Sequence, residues 1–279
     1  MRALRLFRFG LGATGAQFGM ALLACLLFGG ASGIGSAVLW GQELSLKTMA
    51  GHDEFLAVVY MVLADLSIQV AVTVLLGPIF QAMAAFAAFR HSRGKPGSAR
   101  VGLNFALGRY SRMFKPHAVA WLVVLLGLQF IIPGIIYWNQ FALVDAEAAF
   151  GKSVRPIRRS RTLTKGYRRT IFMMALPWFL YSFPALVVVP LLASIHPTLL
   201  IVHQVAVSFF LFALFAGYGR LYLERTGQHE PATAIQDHAQ PASPEQDEAP
   251  EPEDDVPQLG PEVSSDDVNA VVFGGGKSR

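Results

Sequence analysis

Few residues of this chain could do chemistry in an apolar environment, and Asp65 is the first of them. It lies near the centre of the apolar stretch 55–76, with Gln69 one helical turn further along. An ionised carboxylate in a bilayer core costs a few kcal/mol on insertion scales, so it needs a partner, a wet cavity or a proton. The candidate partners are polar residues of other apolar stretches: His203, Gln204, Asn139 and Gln140. Of two interpretations, an ion relay and an interhelical hydrogen bond worth about 1 kcal/mol, we favour the hydrogen bond.

The second candidate is a basic stretch, VRPIRRSRTLTKGYRRT, at 154–170. It holds seven cations and no acid: Arg155, Arg158, Arg159, Arg161, Lys165, Arg168 and Arg169. Nucleic acid explains them poorly, because the stretch lies between two apolar runs and Tyr167 is its one aromatic residue for stacking on bases. The anionic cytoplasmic leaflet of a membrane attracts such cations. Two interpretations stay open: binding of lipid phosphates, and a pure signal of membrane topology. Only Val154, Ile157 and Leu163 offer an apolar face for burial.

A second basic region, 90–115, also lacks acids, and we assign its Arg109 and Arg112 to the same lipid-phosphate set. Its apolar residues share one helical face, which predicts an amphipathic helix lying in the membrane interface. These residues are Leu103, Ala106, Leu107, Tyr110, Met113 and Phe114.

The chain lacks the motifs of common active sites, such as HExxH, paired CxxC, GxxxxGK and GxSxG. Its seven histidines are scattered, and none has a second ligand at metal spacing. We therefore expect no enzyme activity, no catalytic residues, no metal and no cofactor. A lipid-modifying enzyme would need acids at the cytoplasmic interface, where Asp145 and Glu147 form the one acidic pair.

Composition places these residues in a membrane protein. Charged residues make up 15% of the chain, whereas soluble domains average about 25%. The apolar runs 55–76, 171–194 and 199–219 each reach the roughly 20 residues that cross a bilayer core of about 30 Å. The predicted fold is all-α, a polytopic transmembrane helix bundle with interfacial amphipathic helices.

The last fifty residues differ from the rest in charge and composition. Residues 1–229 hold 21 Lys/Arg and 7 Asp/Glu (21 − 7 = +14), whereas 230–279 hold 2 and 12 (2 − 12 = −10). The tail is rich in proline and acids, so it is predicted to be disordered. We divide the chain into a transmembrane domain, 1–229, and an acidic tail, 230–279. The tail's apolar run, 268–273, is either a binding motif for a protein partner or a chance remnant.

Positive charge on short loops marks the cytoplasmic side of a membrane. The N-terminus, with Arg2, Arg5 and Arg8, and both basic regions are therefore expected inside, and the acidic loop 41–54 outside. The predicted spans are 15–40, 55–90 with a kink at Gly77-Pro78, 170–194 and 198–223. Glycines in the first, at 15 and 19 and at 29 and 33, have small-xxx-small spacing for close helix contact.

The segment 116–144 lies between two regions predicted to be cytoplasmic. It must cross the membrane an even number of times, which favours a hairpin with Pro133 and Gly134 at its tip. A single kinked span is the alternative, because the second arm is short. With the hairpin, the chain has about six apolar helices, and both termini are cytoplasmic.

The segment 131–169 resembles the core signature of a bacterial integral-membrane family. That family includes the membrane domain fused to some glycerophosphodiester phosphodiesterases, and uncharacterised stand-alone relatives. The matching residues are Pro133-Gly134, an acid at Asp145 or Glu147, and the Arg-Ser-x-x-Leu-Thr-x-Gly phrase of Arg159, Ser160, Leu163, Thr164 and Gly166. The likeness covers roughly 75–225, and it departs from the pattern at Pro156. It implies a helical fold in the bacterial cytoplasmic membrane with no established chemistry, and the phosphodiesterase activity is not carried over.

Two functions follow as hypotheses. The first is a non-enzymatic structural, scaffolding or lipid-organising protein whose basic helices bind anionic lipid headgroups. The second is a small transporter or channel subunit that uses Asp65 and the Pro133-Gly134 break. A water-accessible cavity joining Asp65 to the hairpin favours transport, whereas a tightly packed bundle favours the structural role.

Overall fold

The computed structural model describes residues 1–42, 54–128, 130 and 132–227. The regular elements in these ranges are ten α-helices: α1 (Arg2–Ala16), α2 (Phe18–Gly41), α3 (Glu54–Ser92), α4 (Ala99–Leu107), α5 (Tyr110–Leu128), α6 (Ile132–Phe141), α7 (Val144–Phe150), α8 (Pro156–Thr164), α9 (Arg168–Ile195) and α10 (Leu199–Thr226). The all-α prediction is confirmed for this part of the chain. The predictions for the loop at 43–53 and for the tail, with its apolar run, lie outside the described residues.

The chain divides into two units, Met1–Ile235 and Gln236–Arg279, and all described residues belong to the first. Within them, three helices are long and apolar enough to cross a membrane: Phe18–Gly41, Val59–Ser92 and Leu199–Thr226. Two segments of α9, bent by 49° against each other, make a fourth if they are counted as one span. These helices support the prediction of a membrane protein. They are three or four in number, fewer than the six apolar helices that the sequence predicts.

Helix α3 continues through Gly77 and Pro78, as the sequence predicted. All residues at 80–89, after the proline, are buried, so this half of the helix occupies the centre of the bundle. The half before the proline is mostly half-buried or exposed. Helix α3 therefore passes from the exposed side of the bundle into its core.

Glycines bring α2 and α10 into close contact. A Cβ added at Gly29 would lie 2.7 Å from the Gln204 carbonyl oxygen, and one added at Gly33 would lie 2.5 Å from the Ile201 Cα. Residues with side chains would hold the two backbones further apart. The predicted small-residue contact is therefore confirmed at these two positions. Gly15 and Gly19 have open space around their Cα atoms and make no such contact.

Helices α5 and α6 pack closely on each other near the break between them. A Cβ on Gly127 would lie 2.9 Å from the Gly134 Cα. The rings of Trp121 and Trp138 meet edge to face, with centroids 5.3 Å apart. Gly134 and Pro133 lie in the first turn of α6, where a proline's missing N–H does little harm, rather than at the tip of a loop as predicted.

The interfacial helix expected around 103–114 is interrupted. Helix α4 ends at Leu107 and α5 begins at Tyr110, because a turn at Gly108 and Arg109 separates them. Leu107 is 51% exposed, whereas Phe105 and Met113 are buried. The predicted single amphipathic helix is therefore divided between α4 and α5, and α4 packs on the protein through Phe105 and Ala106.

Candidate functional site

A cavity of about 700 Å³ lies between α2, α3, α5, α6, α9 and α10. Its lining on α3 runs from Val62 to Gln81, a distance of about 28 Å at about 1.5 Å per residue. That length is close to the roughly 30 Å of a bilayer's hydrocarbon core. The lining also includes Ile135 and Trp138 of α6, so the cavity joins the region of Asp65 to the second arm of the segment 116–144.

All four tryptophans of the chain line this cavity: Trp40, Trp121, Trp138 and Trp178. They come from α2, α5, α6 and α9, which are distant in the sequence. Three pairs of lining aromatic rings meet edge to face: Trp121 with Trp138, Trp138 with Phe179 and Phe80 with Phe215, with centroids 5.3, 5.6 and 6.2 Å apart. Because a tryptophan buries a large area and its N–H seeks a partner, this concentration distinguishes the cavity from an ordinary gap between helices.

Polar residues follow one line along α3 on the wall of the cavity. Asp65, Gln69, Thr73 and Gln81 all line it, and each lies four or eight residues from the next. Residues four apart form one ridge on a helix surface. Asp65 and Gln69 were predicted from the sequence, whereas Thr73 and Gln81 were not. Their four-residue spacing within an apolar span is the signal that finds them.

Asp65 is held by α2 rather than by the partners that the sequence analysis expected. The Ser36 hydroxyl donates to Asp65 Oδ1 at 2.5 Å, and Gln69 Nε2 donates to Ser36 Oγ at 2.9 Å. Ser32 Oγ donates in turn to Gln69 Oε1. These bonds join α2 to α3, as the packing interpretation of Asp65 predicts. The expected partner His203 is bonded elsewhere.

His203 lies on the part of the cavity wall that α10 forms, and it pairs with Tyr181. The Tyr181 hydroxyl and His203 Nε2 form a hydrogen bond, and His203 Nδ1 is buried without a hydrogen-bond partner among the described residues. Gln204 also lines the cavity. Asn139 is outside the lining, where its Nδ2 donates to the Ile135 carbonyl at 2.9 Å. The structure thus brings Asp65, Gln69, His203 and Gln204 to one cavity.

A buried pair that the sequence analysis missed lies beside this cavity. His117 Nδ1 is 2.9 Å and 3.0 Å from the two carboxyl oxygens of Asp145, and His117 Nε2 is 3.0 Å from the Thr73 carbonyl oxygen. His117 is fully buried and Asp145 is 6% exposed. The pair therefore links α5 and α7 to α3 just before its proline.

The geometry assigns the protons of this pair. A carbonyl oxygen only accepts, so His117 Nε2 carries a proton. A neutral imidazole then presents the bare lone pair of Nδ1 to Asp145, which an ionised carboxylate would repel. One further proton must lie between Nδ1 and the carboxyl group, on either side, and the pair carries no net charge. From the sequence, Asp145 was paired with Glu147 and placed in the family signature, but it was not paired with His117.

Asp145 also lines a small cavity of about 30 Å³. That cavity shares Gln81, Trp121 and Trp138 with the large one, so the pair lies next to the candidate binding site. The other acid of α7, Glu147, is 3% exposed and packs against Gly151, where an added Cβ would lie 2.1 Å from Glu147 Oε1. Both acids are thus buried within the bundle.

The seven cations of the basic stretch are all exposed: Arg155, Arg158, Arg159, Arg161, Lys165, Arg168 and Arg169. Helix α8 turns a small face inward instead, with Ser160, Leu163 and Thr164 buried. Ser160 Oγ donates to the Gln140 carbonyl at 2.9 Å, which fixes α8 to α6. Gly166, with φ of +86°, adopts the left-handed geometry expected after the helix. Val154, expected to be buried, is 96% exposed.

Arg109 and Arg112 have partners inside the protein. Arg109 Nε donates to the Ala149 carbonyl at 2.8 Å, and Arg112 donates to the Gly151 carbonyl. Both carbonyls lie at the end of α7, where a helix leaves its acceptors unpaired and favours cations. Burial lowers the pKa of the Arg109 guanidinium, and the neighbouring Arg112 adds to this. Their hydrogen bonds to the end of α7 therefore distinguish these two arginines within the predicted lipid-phosphate set.

The first and last helices meet α8 at one end of the bundle. Arg2 forms an ion pair with Glu224 at 3.0 Å, and this hydrogen bond raises the pKa of Arg2. The guanidinium groups of Arg2 and Arg225 lie 4.5 and 4.8 Å from the ring centroid of Tyr167. Arg225 Nε also donates to the Leu163 carbonyl at 3.2 Å. The start of α1 and the end of α10 are thus on the side that carries the exposed cations.

The described residues contain no group of three or more His, Cys, Asp or Glu side chains placed to hold a metal ion. Comparison of the chain with protein-family models, with curated proteins and with solved structures returned no match in any of the three. The resemblance to the family of the phosphodiesterase membrane domain therefore stays a prediction from the signature residues.

Proposed function

We propose that this protein is a small transporter or channel subunit of the bacterial cytoplasmic membrane, without enzyme activity, and that the large cavity is its binding site. The observation that carries the proposal is the cavity of about 700 Å³ extending from Asp65 to α6. Ligand sites measure roughly 300–1,000 Å³ and combine mostly apolar walls with a few polar groups. A bundle with a purely structural role has no need of such a space.

The proposed arrangement places both termini in the cytoplasm. The end of the bundle with Arg2, Glu224 and the exposed cations faces the cytoplasm, in line with the excess of positive charge there. In this arrangement α5 and α6 enter the bilayer as a re-entrant hairpin and return to the same side. Broken helices of this kind border the binding sites of many transporters.

Cysteine labelling tests whether the cavity is open to water. The native Cys25 is buried, so an introduced cysteine reports alone. We expect Val70→Cys, on the cavity wall, to react with a water-soluble thiosulfonate reagent at least about tenfold faster than Leu63→Cys, because only a hydrated thiol ionises to the reactive thiolate. Leu63 is the matched control: it lies on the same helix, is 53% exposed, and faces lipid in this arrangement.

The labelling is measured in inside-out and right-side-out membrane vesicles of the full-length protein. A transporter exposes its site to either side in turn, so Val70→Cys should be labelled from both. Equal, slow labelling of Val70→Cys and Leu63→Cys would show that the cavity is closed to water and would contradict the proposal.

A second function, organisation of anionic lipids, is favoured by a different observation. The seven cations of 154–170 are exposed on one end of the bundle, and this stretch contains no acid to neutralise them. Lipid phosphates are their expected partners at the cytoplasmic leaflet. Arg109 and Arg112 contribute less in this proposal, because helix carbonyls already engage them.

Neutralising three of these cations tests the lipid-binding function. We expect the triple variant Arg158→Gln, Arg168→Gln, Arg169→Gln to bind phosphatidylglycerol roughly tenfold more weakly than the wild type, because the attraction to anionic lipid is electrostatic. Bound lipid is counted by native mass spectrometry of the full-length protein. The matched variant with lysine at the same positions keeps the charge and should bind as the wild type does. If the glutamine and wild-type proteins bind alike, the cations have only a topological role.

A further inference from the structure

A single acid and no Lys or Arg lie among the described residues of the large cavity's wall. This acid is Asp65. The one histidine on the wall, His203, is engaged by Tyr181. We propose that the ligand of this cavity is a lipophilic organic cation, an amine or quaternary onium group on an apolar body, whose positive group pairs with Asp65. The proposal rests on the proposed binding function of the cavity and names its ligand class.

Asp65 lacks a charged partner within the described protein. Its hydrogen bonds come from neutral groups, with Ser36 Oγ at 2.5 Å and Gln69 bonded to the same hydroxyl. These bonds orient the carboxyl group, and none of them supplies a positive charge to its ionised form. A charge of this kind is expensive in a membrane protein unless an opposite charge or water reaches it. A bound cation supplies that charge at the cavity wall, where Asp65 is half-buried and accessible from the cavity.

The walls suit the rest of such a ligand. Ten of the 31 lining residues are Phe, Trp or Tyr, against 11% for the whole chain. The negative faces of aromatic rings attract cations, tryptophan most strongly, and aromatic cages recognise quaternary ammonium groups. An anionic ligand would meet a carboxylate and no cation. The apolar walls therefore select for hydrophobic bodies, and the aromatic rings with Asp65 select for positive charge.

Two ions of nearly equal size and opposite charge separate charge recognition from simple hydrophobic binding. Tetraphenylphosphonium and tetraphenylborate are titrated into full-length protein in dodecyl maltoside, and tryptophan emission is recorded because all four tryptophans line the cavity. We expect the phosphonium to bind at least about tenfold more tightly than the borate, since opposite charges attract strongly at low dielectric. Asp65→Asn should remove this preference, and Asp65→Glu should retain it.

Glu224→Gln is the matched control for loss of an acid, because Glu224 pairs with Arg2 away from the cavity; it should bind both ions as the wild type does. Val70→Phe, which fills part of the cavity, should weaken both ions. If both ions bind equally and Asp65→Asn changes neither, the cation proposal is overturned while the cavity stays a binding site. If neither ion changes the emission, both proposals fail. Should Asp65→Asn not fold, the comparison of the two ions on the wild type still decides.

Discussion

Replacing His117 by alanine is expected to destabilise the fold by about 3–5 kcal/mol, because removing one partner of a buried pair leaves the other without compensation. Asp145 would remain 6% exposed with no imidazole beside it. The Thr73 carbonyl would also lose its second donor. The loss concerns three helices at once, since the ring of His117 joins α5 to both α3 and α7.

Asp145→Asn should be far milder than His117→Ala. The asparagine amide can donate to Nδ1 of a neutral His117, whose Nε2 proton still reaches the Thr73 carbonyl. A neutral hydrogen bond then takes the place of the bond made by the shared proton, and the expected cost is about 1 kcal/mol. This difference follows from the assignment of a single shared proton to the pair.

The double variant His117→Ala, Asp145→Asn distinguishes a buried charge from lost packing. It lacks the uncompensated carboxylate, so it should be more stable than His117→Ala alone by roughly 1–3 kcal/mol. Stability is measured by SDS titration of the protein in mixed micelles, followed by far-UV circular dichroism. An Asp145→Asn variant as unstable as His117→Ala would show that the proton lies on His117 and that Asp145 carries a full negative charge, and the expectation of a mild effect would be wrong.

The spans of this protein could be predicted because each is a continuous apolar run of sufficient length. Phe18–Gly41 and Leu199–Thr226 match the predicted 15–40 and 198–223 within a few residues. The helical continuation past Pro78 was predictable for the same reason. The short helices were harder to predict: α1 was missed, and α4 was joined to α5. Both α1 and α4 are shorter than the roughly 20 residues at which hydropathy alone identifies a membrane span.

The polar clusters could be predicted only in part, because their partners are set by tertiary packing. Asp65 and Gln69 stand out in an apolar run, but Ser36 and Ser32 do not, since serine is common in packed membrane helices. The role of His117 could not be predicted from the sequence for another reason. It follows Lys115 and Pro116 at the edge of a basic region, and only the fold places it against Asp145. The four-residue spacing along α3 was the one missed signal that the sequence itself contains.

The buried pair and the cavity are connected through α3. Thr73 of α3 lines the cavity. Its carbonyl oxygen accepts a hydrogen bond from His117 Nε2. Gly77 lies one turn on, where an added Cβ would be 2.6 Å from His117 Nε2. The proline that follows cannot donate to the preceding turn, so the helix is weakest at this point. A change at His117 is therefore transmitted directly to the cavity wall.

Gly33→Ala is expected to destabilise the bundle by about 1–3 kcal/mol, the usual range for overpacking a close contact. The new Cβ would lie 2.5 Å from the Ile201 Cα and 3.1 Å from the Leu200 carbonyl oxygen. Both are backbone atoms, so no side chain can turn away, and α2 and α10 must separate. Ser36 lies one turn further on α2, so the separation should also weaken its hydrogen bond to Asp65.

Gly19→Ala in the same helix is the matched control, and its effect should have the opposite sign. No atom lies within 4 Å of the added Cβ at this position in the first turn of α2, and alanine is a better helix former than glycine, by up to about 1 kcal/mol in a helix interior. Stability is measured by SDS titration, and the cavity by binding of tetraphenylphosphonium. Gly33→Ala should lower both stability and binding, whereas Gly19→Ala should leave binding unchanged. Equal stability of the two variants would mean that α2 and α10 tolerate a wider separation, and that the close contact is not what holds Ser36 against Asp65.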